Sequence, residues 1–102
     1  MKSRFTAYAR GMVGYIIATT DPKGAAWQPD AAAWRRSIEQ FSTDFEFAGV
    51  DVVDEHVSGD EGTVHFRARL RADDDRDASF SEISEFVRRD GRWLYTDGVV
   101  QK

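Results

Sequence analysis

A chain of 102 residues with a net charge of −4, 41% of them hydrophobic and 13% aromatic, has the makings of one domain spanning residues 1–102 and too much apolar surface for a disordered segment. It contains no cysteine, which excludes disulfides, thiolate chemistry and sulfur-ligated zinc, and two histidines, His56 and His65, cannot build a multi-histidine metal site. Mild acidity without a lysine cluster argues against nucleic acid as a partner, and no apolar run approaches the roughly 20 residues that cross a bilayer. No metal or cofactor is therefore expected. The opening Met1-Lys2-Ser3-Arg4-Phe5 lacks the apolar core of a signal peptide, so the cytoplasm is the expected location.

Phe5, Tyr8, Met12, Tyr15 and Ile16 recur at three- and four-residue spacing, the mark of an amphipathic helix. Gly11 and Gly14 interrupt the stripe, which predicts two short helices over 2–10 and 12–18, kinked at Gly11. The second stops at Thr20-Asp21-Pro22, because the residue before proline resists the helical conformation. Residues 23–28 form a loop carrying Trp27. Asp30 is a good N-cap for a third helix from Ala31 to about Phe41, with Trp34, Ile38 and Phe41 as its buried stripe.

From Phe45 the period changes from 3.6 to two. Phe45, Phe47, Val50 and Val52 predict a strand with a slip near Gly49. A turn at Ser58-Gly59-Asp60-Glu61-Gly62 leads into residues 63–71, where Val64, Phe66, Ala68 and Leu70 face inward and His65, Arg67, Arg69 and Arg71 outward. The acidic run Asp73–Asp77 is a solvated hairpin tip, without the glycine and terminal glutamate of a calcium loop. Two last alternating runs, Phe80–Phe86 and Arg92–Gly98, flank Asp90-Gly91, the strongest short-range hairpin signal. Their shared face would carry Phe80, Glu82, Ser84 and Phe86 opposite Trp93, Tyr95 and Asp97. Helices first and a strand meander afterwards give an α+β fold, the helices packed in the concave face of a curved four-stranded antiparallel sheet.

Several stretches resemble a known family. Met1–Tyr8 is similar to the "MRSRYTAY" opening of the central domain of YchJ-like proteins, and Tyr15–Pro22 to its "YLLxTWHP" segment. Phe66–Leu70 resembles "FxAxY", Glu82–Phe86 "ExSxF", and Trp93–Gly98 "WxYxDG". The resemblance implies a cone of the nuclear-transport-factor-two-like type, related in fold to ketosteroid isomerases. It departs from the family in two places: Thr20-Asp21 stands where the pattern has Trp-His, and the Cys-rich zinc-binding SEC-C motifs that flank the family's domain are missing from these residues.

The pocket candidates are Arg4, Tyr8, Tyr15, Trp34, Phe66, Glu82, Ser84, Phe86, Trp93, Tyr95 and Asp97. A carboxylic acid among aromatics can act as general acid or base, and tyrosine with a protonated aspartate forms the oxyanion hole of ketosteroid isomerase. The competing reading is an ion pair of Glu82 with Arg4 that locks the first helix to the sheet. Gly98 either lets the last strand bend or leaves Asp97 at the cone's mouth. The outward arginines are expected to pair with cross-strand acids such as Glu85. The leading expectation is a noncatalytic binding or protein-interaction module with a small aromatic and acidic pocket that takes a small molecule. The alternative is an isomerase, dehydratase or hydrolase using Glu82 or Asp97, assisted by Tyr95 or Tyr8. A homodimer is expected through the outer face, with Arg67, Arg69, Ile83, Val87 and Leu94 at the contact.

Overall fold

The computed structural model describes residues 2–101; Met1, the first residue of the first family motif, lies outside them. Three helices, α1 (Lys2–Ala9), α2 (Val13–Ala18) and α3 (Ala31–Asp44), precede four strands, β1 (Phe45–Ser58), β2 (Glu61–Ala72), β3 (Phe80–Arg89) and β4 (Arg92–Gln101). Helices α1 and α2 break at Gly11, whose φ of 65° lies in the left-handed region. Asp30 caps α3 by accepting the Ala33 N–H at 3.0 Å. The helix runs three residues past the expected Phe41 and passes directly into β1.

The strands form an antiparallel meander in the order β1-β2-β3-β4. The turn between β3 and β4 places both Asp90 (φ 51°) and Gly91 (φ 76°) in the left-handed region, as a tight hairpin of this type requires. Strand β1 carries the expected register shift at Phe47/Gly49 and a second, unexpected one at Val52/Asp54. A further shift in β4 leaves Thr96 without a partner, so that Glu85 faces Asp97 but Phe86 faces Tyr95. One extra residue reverses the alternation. Asp97 consequently shares its face with Glu85 and not with Glu82, which corrects the face expected for it.

Two cores result. Ala7, Val13, Ile16 and Ile38 pack the helices together, while Phe66, Ala68 and Leu70 form the buried floor of the sheet. Between them lies a layer of edge-to-face aromatics, including Phe5–Phe47 at 5.4 Å and Tyr8–Phe41 at 5.6 Å. Trp27 reaches from its loop to stand edge-on against Trp34 at 5.0 Å.

The open edge of β4 is covered by the segment after α2: Tyr95 N–H donates to Thr19 O, Asp21 N–H to Tyr95 O, and Ala26 N–H to Thr96 O, at 2.8–2.9 Å. Asp21, 2% exposed, accepts the Lys23 N–H at 3.0 Å and the Arg89 guanidinium at 3.1 Å. These contacts, the Lys23 N–H foremost, hold its carboxyl below the usual range. A depressed native value means that the folded state binds fewer protons than the unfolded chain. The stabilisation is therefore complete above the unfolded carboxyl pKa of about 4 and fades as pH falls through the native value. Urea midpoints of wild type and Asp21→Asn should differ at pH 7, and the difference should shrink as pH falls below about 4. A constant difference across that range would remove Asp21 as the acid-sensitive latch.

Candidate functional site

Between the helices and the concave sheet face lies a cavity of about 280 Å³, open on one side. Its walls are largely apolar, from Phe5, Trp34, Ile38 and Phe41 on the helices and Phe47, Phe66, Ala68, Leu70 and Phe80 on the sheet. Five polar residues join them: Arg4, Tyr8, Ser37, Glu82 and Tyr95. An apolar recess with a few convergent polar groups is the usual form of a small-molecule site.

Glu82 is held from two sides. The buried Ser84 hydroxyl donates to its Oε2 at 2.6 Å and the Tyr95 hydroxyl to the same oxygen at 3.3 Å. Oε1 receives no hydrogen bond among the described residues. Gly98, opposite Ser84 in the ladder, makes the arrangement possible: a Cβ there would collide with the Tyr95 hydroxyl and stand 2.5 Å from Glu82 Oε2. Close approach, more than bending of the strand, is what this position demands of a glycine.

Arg4 does not clamp Glu82. Its Nη1 donates to Ile16 O at 3.1 Å, Thr19 Oγ1 at 2.6 Å and Thr20 Oγ1 at 3.3 Å, tying α1 to the carboxyl end of α2. Its guanidinium carbon lies 4.5 Å from the centre of the Tyr95 ring. Among the described residues no carboxylate is within ion-pairing distance of it. The end of α2 supplies carbonyl and hydroxyl acceptors to Arg4 first, and the Tyr95 ring stacks on it, which is why the expected pair does not form.

Burial pushes the Tyr95 phenol far above its ordinary value, and the Glu82 charge adds to the shift. Burial raises the Tyr8 phenol as well, although neighbouring Arg4 works against it. Both phenols therefore stay protonated at neutral pH, Tyr95 donating to Glu82 and Tyr8 accepting from Arg4. Burial also lowers the Arg4 value, the aromatic hydroxyls around it offsetting part of the change, but arginine begins so high that its charge persists.

The structure thus brings Arg4, Tyr8, Trp34, Phe66, Glu82 and Tyr95 to one cavity. Ser84 lies behind it as support for Glu82. Tyr15, Phe86 and Trp93 line a neighbouring cleft of about 270 Å³ that shares Arg4 as a wall. Asp97 lines neither. Phe5, Ser37, Ile38, Phe41, Phe47, Ala68, Leu70 and Phe80 line the cavity as well, beyond the pocket candidates that the sequence marks. Ile38 and Phe41 belong to the buried stripe that the sequence predicts for α3, and Ser37, one turn from both Trp34 and Phe41, is the polar position that this stripe admits to the cavity.

Residues 1–98 match the family described as "YchJ, middle NTF2-like domain". A UPF0225 protein of Pectobacterium carotovorum is 35% identical over 105 residues, covering 97% of this chain and 63% of that protein. One of Serratia proteamaculans is 38% identical with the same coverage. The chain therefore spans about 63% of the length of these relatives. The solution structure of a SEC-C motif containing protein from Rhodopseudomonas palustris superposes with a TM-score of 0.83 at 29% identity, over 98% of this chain and 74% of that one. The crystal structure of an NTF2-like protein from Cytophaga hutchinsonii, at 14% identity, gives 0.68 over 98% and 89% and shows the fold alone.

Proposed function

This chain belongs to the family of YchJ middle domains with the NTF2-like fold, and from that premise we propose that it is a noncatalytic module that binds a small, largely apolar molecule in its cone. The observation that supports this reading is the cavity of about 280 Å³, open to solvent and floored by Phe66, Ala68 and Leu70, with a polar end at Glu82 and Tyr95. Glu82 accepts two hydrogen bonds on one oxygen, an arrangement that holds a carboxylate still as an acceptor. The enzyme reading draws on the same carboxylate, which carries no ion pair among the described residues. It would require that acid to exchange protons with the ligand.

Filling the cavity separates a binding site from a packing gap. Ala68→Leu places added bulk on its floor, where Ala68 is 2% exposed. It should abolish the shifts that a small aromatic probe such as indole produces in the amide spectrum, while the far-UV spectrum stays native. Indole shifts that survive this substitution would remove the binding reading.

The homodimer and the cytoplasmic setting belong to the same proposal. Leu94, expected on the contact surface, is 9% exposed and bounds a recess with Trp27 and Pro22, so it leaves the surface available for contact. What remains on the convex face has charge in two groups. Arg67, Arg69 and Arg71 lie toward one end of β2, and Glu85 faces Asp97 toward the other, with Ile83 opposite the exposed Val99 between them. A two-fold axis near Ile83 would set each basic end against the partner's acidic end. Of the three arginines, Arg69 is already paired with a cross-strand acid, as the sequence suggested, but the acid is Asp51 of β1 at 3.1 Å and not Glu85. Light scattering at high micromolar concentration should give twice the 11.6 kDa chain mass, and Ile83→Asp should return the monomer. A wild-type monomer at that concentration ends the dimer proposal.

A further inference from the structure

Two unlike charges line the cavity without meeting. Arg4 is 7% exposed, yet the acceptors on its Nη1 are a carbonyl and two hydroxyls, and the protonated Tyr8 phenol is a further polar neighbour. Glu82 has both of its hydrogen bonds on Oε2 and none on Oε1 among the described residues. The Tyr95 side chain stands between the two, its ring against the guanidinium at 4.5 Å and its hydroxyl on the carboxylate at 3.3 Å. Burying a charge without a counter-ion costs several kcal/mol, and opposite charges in one recess ordinarily relieve that cost by pairing with each other. Tyr95 prevents it here, and Gly98 leaves the room that keeps Tyr95 in place.

We infer that the cavity is built for a zwitterion: a small molecule whose carboxylate meets Arg4, whose ammonium meets Glu82 Oε1, and whose apolar body lies among Phe41, Phe66 and Phe80. The assignment rests on the binding role proposed above and names its ligand class. A guanidinium presents paired donors that suit a carboxylate. The free oxygen of Glu82 is an acceptor that an ammonium can satisfy without disturbing the Ser84 and Tyr95 bonds. A ligand carrying only one of the two charges would desolvate the other and leave it unmatched.

Four probes with a similar aromatic body test this on the whole chain by calorimetry or by amide-shift titration: phenylalanine, 3-phenylpropionate, 2-phenylethylamine and 3-phenylpropanamide. Phenylalanine should bind at least about tenfold more tightly than either singly charged probe, a difference of about 1.4 kcal/mol, with the neutral amide no better than those. Glu82→Gln, which keeps an acceptor oxygen for Ser84 and Tyr95, should erase the preference for phenylalanine over 3-phenylpropionate. Equal affinities for all four probes would overturn the zwitterion assignment and leave the binding role standing. A preference for the anion or the cation alone would overturn it too. No binding of any probe at millimolar concentration would overturn both readings.

Discussion

Ile16→Ala should be the most damaging single truncation in this chain, lowering stability by about 2–5 kcal/mol, the range for an aliphatic side chain removed from a closed core. Ile16 is fully buried and, with Ile38, is one of the two largest members of a cluster that otherwise contains Ala7 and Val13. With two of its four members no larger than valine, the cluster has little bulk that could move into the gap. The damage should also travel. The main-chain carbonyl of Ile16 accepts from Arg4 and from the Thr20 hydroxyl, and the residues that follow lie along the edge of β4. Loosening α2 therefore loosens the cover on that edge. Denaturant midpoints measure the first effect, and faster amide exchange at Tyr95, whose N–H bonds Thr19 O at 2.8 Å, measures the second. An Ile16→Ala protein within 1 kcal/mol of wild type, a bound set well below the range for such truncations, would show that the helical cluster is not what holds the helices over the cavity.

The architecture was legible because its signals are local. A change from a period of 3.6 to two at Phe45 marks where helices end, and Asp90-Gly91 can form its turn with both residues at positive φ wherever it lies in the fold. Gly49 likewise marked its own slip. What could not be read were contacts decided by distant partners. The bulge at Thr96 reverses Asp97, and nothing in Trp93–Gly98 announces it. The residues that pack on the bulge lie some 70 residues earlier, where the Ala26 N–H donates to Thr96 O and a Cβ on Gly24 would stand 2.8 Å from Thr96 Cα. Pairing Arg4 with Glu82 follows from opposite charge and from the helical face that Arg4 shares with Tyr8. The actual acceptors of Arg4 are main-chain and hydroxyl oxygens at the end of α2, and the run Thr19-Thr20 ahead of Pro22 was the available hint that hydroxyls would gather there. The cavity itself was half visible. Candidates from α1, α3 and the sheet do converge, but Tyr15, Phe86 and Trp93 fall on the far side of Arg4, because face alternation gives the side of a sheet and not the position along it.

Gly98→Ala tests the polar end of the cavity with one methyl group. The new Cβ would collide with the Tyr95 hydroxyl and lie 2.6 Å from the Glu82 carboxyl carbon, so at least one of the two must move. Neither moves freely: Tyr95 packs edge-on against Phe86 at 5.6 Å and beneath Arg4, and Glu82 is tied to the buried Ser84 at 2.6 Å. Overpacking of this kind costs about 1–3 kcal/mol. Here the 3.3 Å bond between Tyr95 and Glu82 should break as well, adding about 1 kcal/mol. Backbone strain does not enter, since Gly98 is not among the positive-φ glycines. Tyr95→Phe distinguishes the two parts of the effect, because it removes the hydroxyl that the methyl would strike. In that background, Gly98→Ala should cost measurably less than in wild type, the non-additivity expected of residues in contact. Four denaturant midpoints give the coupling directly. If the costs simply add, the close approach at Gly98 does not constrain Tyr95, and Tyr95 no longer holds Arg4 and Glu82 apart.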